Sequence, residues 1–211
     1  MVKRDLLKSD PLVWASKAAA EIETLKTAYE QHAEVLAVFR EDLDVYKEIA
    51  ETDGRQFWKR TVVRFLFAGI EGLCYRNKQI ALATAALKDI ELTSAEMAML
   101  REEAYGLDDN GEAESKKSRL RTAPNLAFSL RMLARARGGS YEIDTNCTGW
   151  QAFKTSIRVR DRITHPKGAS DLQVTEEEVA SIIAAAGWFL EEECALLRIT
   201  PIPAPPAPSG E

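Results

Sequence analysis

The sequence predicts an all-α fold, a helical bundle of four to six helices, and three observations support this. The 211 residues include only 11 glycines and eight prolines, and most of the prolines come late in the chain. Long stretches therefore contain no helix breaker. Two segments, at about residues 10–52 and 55–87, repeat apolar side chains at intervals of three and four residues, the spacing of an amphipathic helix. No segment shows the strong apolar–polar alternation of a strand.

Composition narrows the class of protein. The chain is 45% hydrophobic and 29% charged, which is typical of a soluble globular protein. Its net charge of −5 argues against a surface coated in basic residues for bulk nucleic-acid binding. We see neither a signal peptide nor an apolar run near the ~20 residues that span a bilayer. We therefore expect a cytoplasmic protein without a membrane partner.

The three cysteines, Cys74, Cys147 and Cys194, are widely spaced and odd in number. They form neither a disulfide framework nor a CxxC metal site, which favours a reducing compartment. With only two histidines in the chain, we expect no bound metal and no other cofactor.

The first two helices follow directly from the pattern. Ser9-Asp10-Pro11 predicts a helix start, and Asp53-Gly54 predicts its end. The first helix carries a stripe at intervals of three and four residues, formed by Leu25, Tyr29, His32, Leu36 and Phe39. The second helix carries a heptad-like seam of Val63, Leu66, Ile70, Leu73 and Ile80. Gly69 and Gly72 interrupt the second helix and would allow another helix to approach closely.

The middle of the chain is predicted to contain shorter helices separated by a polar loop. Thr93 to Glu96 forms a capping box that predicts a short helix ending near Tyr105. Residues 106–118 are polar and contain two glycines, so we expect a mobile loop there. A further helix is expected over about 124–137, ended by Gly138-Gly139.

Two helices close the predicted bundle. Thr148 is the expected cap of a helix from about Gly149 to Thr164, which must end there because Pro166 disfavours helical backbone at His165. A second capping box, Thr175 to Glu178, opens the last helix.

The domain organisation follows from these elements. We expect residues 1–199 to form a single helical domain, in which 1–52 is an N-terminal helical extension and 55–197 is the core. The tail, 200–211, is proline-rich and is expected to be disordered.

The stretch RVRDRITHPKG, residues 158–168, carries the strongest chemical signal. Histidine changes charge near neutral pH, and an arginine beside it would bind a phosphate and stabilise developing negative charge. Arg160 and His165 would therefore suit metal-free cleavage of an RNA phosphodiester. The alternative is a histidine that caps the helix C-terminus next to a solvated charge cluster.

Helix geometry constrains this pair. Five residues of straight helix turn through about 500°, which leaves Arg160 and His165 about 140° apart. Either the helix end bends His165 back, or a two-fold dimer brings both pairs into one cleft.

Arg160-Asp161-x-x-x-His165, within RDRITHPK and followed by the helix start VTEEEV, resembles the Rx4–6H motif of the HEPN superfamily. The resemblance covers about residues 55–197, although its specific part is only about 30 residues long. It implies a HEPN-like bundle that forms a homodimer, with Arg160 and His165 of both chains lining the cleft. It also implies a metal-independent endoribonuclease of a toxin–antitoxin, CRISPR or other defence system. Other HEPN members bind nucleotides or serve only as dimerisation modules, which is the alternative function.

Further residues could support such a site. Asp161, four residues before His165, could bond its imidazole, or it could simply balance neighbouring arginines. Glu71 and Arg64 lie two turns apart in an apolar run, where a charge is costly unless it is paired or faces a cleft. Glu71 could orient His165 or Arg160, or form a purely structural ion pair with Arg64 or another arginine.

The remaining charged residues are interpreted from their positions in the chain. Arg158, Arg162 and Lys167 are expected to steer an RNA strand, and residues 116–137 fit either an RNA-facing surface or a solvated helix side. The acidic groups Glu41, Asp42, Asp44 and Glu191, Glu192, Glu193 are expected to be solvated faces, and His32 a core or surface residue. The expected partners are a second copy of the chain, an RNA substrate, and an antitoxin or other protein.

Overall fold

A computed structural model describes residues 11–52, 55–118 and 120–197 of the chain. The elements are α1 (Pro11–Thr52), α2 (Gln56–Leu87), α3 (Ser94–Arg101), β1 (Glu103–Leu107), β2 (Ala113–Lys117), α4 (Thr122–Ala136), α5 (Thr148–Thr164), a 3-10 turn (Ala169–Leu172) and α6 (Glu176–Leu197). The predicted predominance of helix is confirmed. The expected start at Ser9-Asp10 and the proline-rich tail lie outside the described residues.

Helix α2 lies at the centre and contacts each of the other five helices. All five side chains of its predicted seam are buried, and the stripe predicted on α1 packs against the same core. Gly69 explains how α1 comes so close, because a Cβ built at this position would lie 2.2 Å from the Phe39 ring. The predicted close approach at this glycine is therefore confirmed.

The helix ends follow local sequence signals. Both capping boxes form: Glu96 N–H donates to Thr93 Oγ1 and Glu178 N–H donates to Thr175 Oγ1. The end of α4 is a Schellman motif, with Gly138 at φ 88° and Gly139 N–H donating to Ala134 O at 2.9 Å.

Helix α5 begins one residue earlier than predicted. Its N-cap is Cys147, whose Sγ accepts a hydrogen bond from Trp150 N–H at 3.3 Å. The expected cap, Thr148, is already the first helical residue. Its end at Thr164 is as predicted.

The expected mobile loop over 106–118 and the absence of strands are wrong. Helix α3 ends at Arg101, and Glu102 adopts a left-handed backbone with φ 57°. The chain then forms an antiparallel hairpin in which Tyr105 faces Ser115 across the two strands. Two side-chain bonds fix its turn, because Asp108 Oδ1 accepts from the backbone N–H groups of Asn110 and Glu112.

The acidic run on α6 is also not uniformly solvated. Glu191 is exposed, but Glu193 is fully buried and accepts a hydrogen bond from Asn77 Nδ2 at 2.8 Å. His32 is buried beside the same carboxylate, which places it in the core. Helical geometry is the reason, since position 193 continues the buried stripe of Ala186 and Phe189.

Within the part of the chain that the structure describes, no helix is both long and apolar enough to cross a lipid bilayer.

Candidate functional site

An open cleft of about 940 Å³ lies beside the middle of α2. Helix α5 forms one wall, and the first turn of α4 and the base of the hairpin form the others. Its lining includes Glu71 and Tyr75 from α2, Arg160 from α5 and Lys117 from β2. The cleft therefore brings together side chains from four separate elements.

Arg160 is the best-connected side chain in this cleft. Its Nη2 donates to Thr122 Oγ1 at 2.5 Å, and its Nη1 lies 3.4 Å from Glu71 Oε1. Its Nε lies 3.1 Å from Asp161 Oδ1, an ion-pair contact that lacks the angle of a hydrogen bond. Thr122 Oγ1 is also 3.4 Å from Glu71 Oε1, so the three partners form one network around the guanidinium.

The guanidinium also lies over an aromatic ring. Arg160 Cζ is 5.1 Å from the centroid of Phe67, whose side chain is buried in the core. Such cation–π contacts stabilise a planar guanidinium in a fixed orientation. These contacts hold the Arg160 side chain in place. Its exposure of 24% leaves one side of the guanidinium open to the cleft.

A buried lysine fixes the opposite end of the cleft. The Lys78 side chain has no exposure, and its Nζ donates to Glu102 Oε1 at 2.6 Å and to Asn125 Oδ1 at 2.8 Å. Both partners line the cleft. The buried charge is thereby compensated, and it ties the hairpin base and the first turn of α4 to α2.

His165 lies outside the lining of this cleft. It is the C-cap of α5, is exposed, and its backbone N–H donates to Asp161 O at 3.0 Å. The Asp161 carboxylate contacts Arg160, and no contact between this carboxylate and the His165 imidazole is present among the described residues. A single chain therefore places Arg160, Asp161 and Glu71 together and leaves His165 apart.

The segment after His165 is firmly anchored. Arg162 Nη1 donates to the carbonyl oxygens of Asp171 and Gln173, and its Nη2 donates to both carboxylate oxygens of Glu178 at 2.7 and 2.8 Å. Gln56 exchanges two hydrogen bonds with the backbone of Val174. The predicted RNA-steering residue Arg162 therefore has its donors engaged within the chain, where it fixes the connection between α5 and α6.

The other predicted site residues are solvent-facing. Arg64, Arg158 and Lys167 are exposed, and Glu71 is 46% exposed. The apolar run on α2 therefore does not bury Arg64 or Glu71, because both lie on its outer face. Glu71 pairs with Arg160 and not with Arg64, one of the alternatives that the sequence left open.

The basic run 116–137 divides between two roles. Lys117 and Arg121 line the cleft. Arg135 pairs with Glu96 at 2.7 Å, and Arg137 donates to Leu197 O at 2.7 Å. Arg135 and Arg137, at the end of the run, therefore stabilise the fold.

The described ranges show no cluster of metal-binding side chains, and the buried Cys74 is not a reactive thiol. No group of three or more His, Cys, Asp or Glu side chains there is placed to hold a metal ion. Burial raises the pKa of the Cys74 thiol to about 12, so this thiol is protonated at neutral pH and is not a nucleophile.

Comparison of the chain with protein-family models, with curated proteins and with solved structures finds no match. The HEPN resemblance thus stays a prediction that rests on the residues themselves.

Sequence reasoning missed several residues that shape the cleft. Thr122 and Phe67 hold Arg160, and the buried Lys78 fixes Glu102 at the opposite end of the cleft. Lys78 is 24 and 47 residues from its two partners in the sequence, and Thr122 is 38 residues from Arg160. No local pattern could therefore reveal these contacts. A lysine within the apolar face of α2 was the one available signal, since a charge there requires a buried partner.

Proposed function

We propose that the protein is a metal-independent endoribonuclease of HEPN type that acts in a toxin–antitoxin or other defence system. The observation that carries the proposal is the position of Arg160, an oriented guanidinium at the wall of an open cleft, on helix α5, whose C-cap is the exposed His165. The cleft lining also carries the cationic side chains of Lys117 and Arg121, alongside three carboxylates. Attraction of a phosphodiester backbone would therefore be local to the cationic side chains.

The proposed reaction divides the work between the two residues. The ribose 2′-oxygen attacks phosphorus while the bond from phosphorus to the 5′-oxygen breaks, which gives a 2′,3′-cyclic phosphate and a 5′-hydroxyl. One imidazole accepts the 2′-hydroxyl proton and another protonates the leaving oxygen. Arg160 stabilises the charge that develops on the non-bridging oxygens. No metal ion enters any step.

A second copy of the chain completes the proposed site. Within one chain, His165 does not line the Arg160 cleft, and a two-fold dimer would supply a second histidine for the separate acid and base roles. Within each chain, the bonds to residues 171–174 anchor the segment that follows His165 before RNA binds.

The test is cleavage of single-stranded RNA in EDTA, followed by analysis of the product ends. We expect cyclic-phosphate ends from the wild type, and at least a ~100-fold loss of rate in His165→Ala and Arg160→Ala. Cleavage by His165→Ala at the wild-type rate would refute the proposal.

Two matched controls separate chemistry from general damage. Arg131→Ala removes an exposed arginine from α4 outside the cleft, and Ser170→Ala alters an exposed residue in the loop that follows His165. Both should cleave at the wild-type rate. If they lost activity along with Arg160→Ala, the loss would not reflect a specific site.

A second function, an inactive HEPN-like module that binds a nucleotide or a protein partner, is favoured by one observation. Arg160 already contacts Glu71, Asp161 and Thr122 within its own chain, an arrangement that a purely structural arginine would also adopt. Thr122→Val discriminates between the two. It removes one partner of Arg160 but keeps the positive charge, so a nuclease would lose part of its cleavage rate. In a structural module neither the wild type nor the variant would cleave RNA, and the only change would be a lower melting temperature.

A further inference from the structure

The hairpin of β1 and β2 has an unpaired outer edge. Among the described residues its two strands pair only with each other. Every residue of β2 is exposed except Glu114, which is half-buried. An isolated two-stranded hairpin is marginally stable, and a free strand edge is a template for pairing with another chain.

The hydrogen-bond register fixes which groups this edge offers. Asp108 N–H donates to Glu112 O at 2.9 Å, and Ser118 N–H donates to Glu102 O at 2.7 Å. Because hydrogen-bonded pairs alternate along an antiparallel ladder, Glu114 and Lys116 direct their backbone groups towards β1. Ala113, Ser115 and Lys117 therefore direct theirs outward, along the free edge of β2.

We propose that a second copy of the chain docks on this edge, β2 against β2 in antiparallel orientation, with the two-fold axis at Ser115. Ser115 then exchanges both backbone hydrogen bonds with the partner's Ser115. Ala113 and Lys117 do the same with Lys117 and Ala113 of the partner subunit. The result is a four-stranded sheet shared by the two chains, and its contact is isologous, as a two-fold dimer requires.

Charge selects this register and this occupant. With the axis at Ser115, Glu114 lies opposite the partner's Lys116, in a pair without hydrogen bonds where the Cα atoms are only about 4.5 Å apart. By the two-fold symmetry, Lys116 lies opposite the partner's Glu114. Moving the axis to Ala113 would instead set Glu114 against the partner's Glu112, which is repulsive. Within one hairpin, Glu114 and Lys116 face the uncharged residues Gly106 and Ala104 of β1, so neither charge is paired across the two strands.

The other face of the same sheet carries two exposed apolar side chains. Tyr105 and Leu107 are 66% and 71% exposed and project to the same side of β1. A two-fold axis perpendicular to the sheet leaves both copies of this apolar pair on one face of the four strands. Lys117 lines the Arg160 cleft as well as the shared edge, so the second copy lies beside that cleft.

This interface agrees with the proposed function in requiring a second copy, but it does not rest on RNA cleavage. A chain that dimerises through β2 and cleaves nothing would support the interface alone. Loss of activity in a dimer that persists would concern only the chemistry.

The test uses the full chain and charge reversal, read by analytical ultracentrifugation. Glu114→Lys alone and Lys116→Glu alone each turn both cross-axis pairs repulsive, so each should weaken dimerisation by roughly tenfold or more. An equimolar mixture of the two variants should form a heterodimer, because every Lys then faces a Glu. The ion pair between Glu114 and Lys116 within one strand is lost in both variants, so recovery in the mixture reports pairing between chains.

The control is Arg131→Glu, a reversal of an exposed charge on α4, which should leave the dimer unchanged. Circular dichroism of each variant verifies that the helices remain folded. A wild-type chain that stays monomeric, a dimer that both single reversals leave intact, or a mixture that remains monomeric would each overturn the proposal.

Discussion

His32 Nε2 lies 3.3 Å from Glu193 Oε1, a contact between side chains 161 residues apart that joins α1 to α6 across the core. Both side chains are almost completely buried, at 4% and 0% exposure. Asn77 of α2 donates to the same carboxylate oxygen at 2.8 Å. A single polar cluster therefore links the first, second and last helices of the described chain.

Removing one member of this pair should be costly. His32→Leu leaves the buried Glu193 carboxylate with only Asn77 as a partner, so we expect the free energy of unfolding to fall by about 3 kcal/mol. Urea denaturation measures the change. The control Glu191→Gln, on the exposed face of α6, should lie within about 0.5 kcal/mol of the wild type. An equally small effect of His32→Leu would show that the cluster contributes no stability.

The two glycines of α2 provide a matched comparison. In Gly69→Ala the new methyl group would lie 2.2 Å from the Phe39 ring, so the ring or α1 must shift and stability should fall by about 1–3 kcal/mol. In Gly72→Ala the nearest atom is Val35 Cγ1 at 3.6 Å, an ordinary contact. This change should raise stability by up to about 1 kcal/mol, because alanine favours helix over glycine. Thermal unfolding of both variants tests the expectation, and equal shifts would contradict it.

The capping box of α3 should make stability depend on pH. Hydrogen bonds from the Thr93 backbone and hydroxyl, together with Arg135, hold the pKa of Glu96 below its usual value. This stabilisation is fully present above the pKa of the unfolded chain and is lost as pH falls through the lower folded pKa. Glu96→Gln should therefore be less stable than wild type near neutral pH, by about 0.5–1 kcal/mol, and the difference should disappear in acid.

The measurement is chemical denaturation of wild type and Glu96→Gln across the acidic range. Glu91→Gln, which changes an exposed glutamate before the same helix, serves as the control. A difference between wild type and Glu96→Gln that persists unchanged in acid would rule out the carboxylate as its source.

Sequence predicted the long helices because their apolar spacing persists over many turns. The seam of α2 and the stripe of α1 repeat often enough to exclude other structures. The two capping boxes were equally clear, since both of their bonds connect residues three positions apart. These features depend on local chemistry, which one sequence displays in full.

The hairpin was missed because its strands bury nothing. Tyr105 and Leu107 are its large apolar side chains, and both face solvent, so no core-directed alternation exists. The available signal was the turn, in which Asn110 precedes Gly111 at φ 79° and Asp108 binds the backbone. Glu193 was misassigned for a different reason: its exposed neighbour Glu191 suggested a solvated face, although its own position follows the buried stripe of α6.

Only the part of the candidate site that lies on α5 and at its C-terminal end could be predicted from the sequence. Arg160, Asp161 and His165 stand within six consecutive positions, so the motif and the helix end could be recognised together. The contacts of Arg160 with Glu71 and Thr122 depend on how α2 and α4 pack against α5, which no short-range pattern encodes.

The central position of α2 should make unfolding of the chain cooperative. No helix can leave the bundle without exposing part of α2, and α1 contributes Ala28, Phe39 and Tyr46 to the same core. Unfolding should therefore be all-or-none, without a stable fragment on either side of residues 53–54. In native-state amide exchange, the most slowly exchanging amides should lie in α2 and open together, at the free energy of global unfolding.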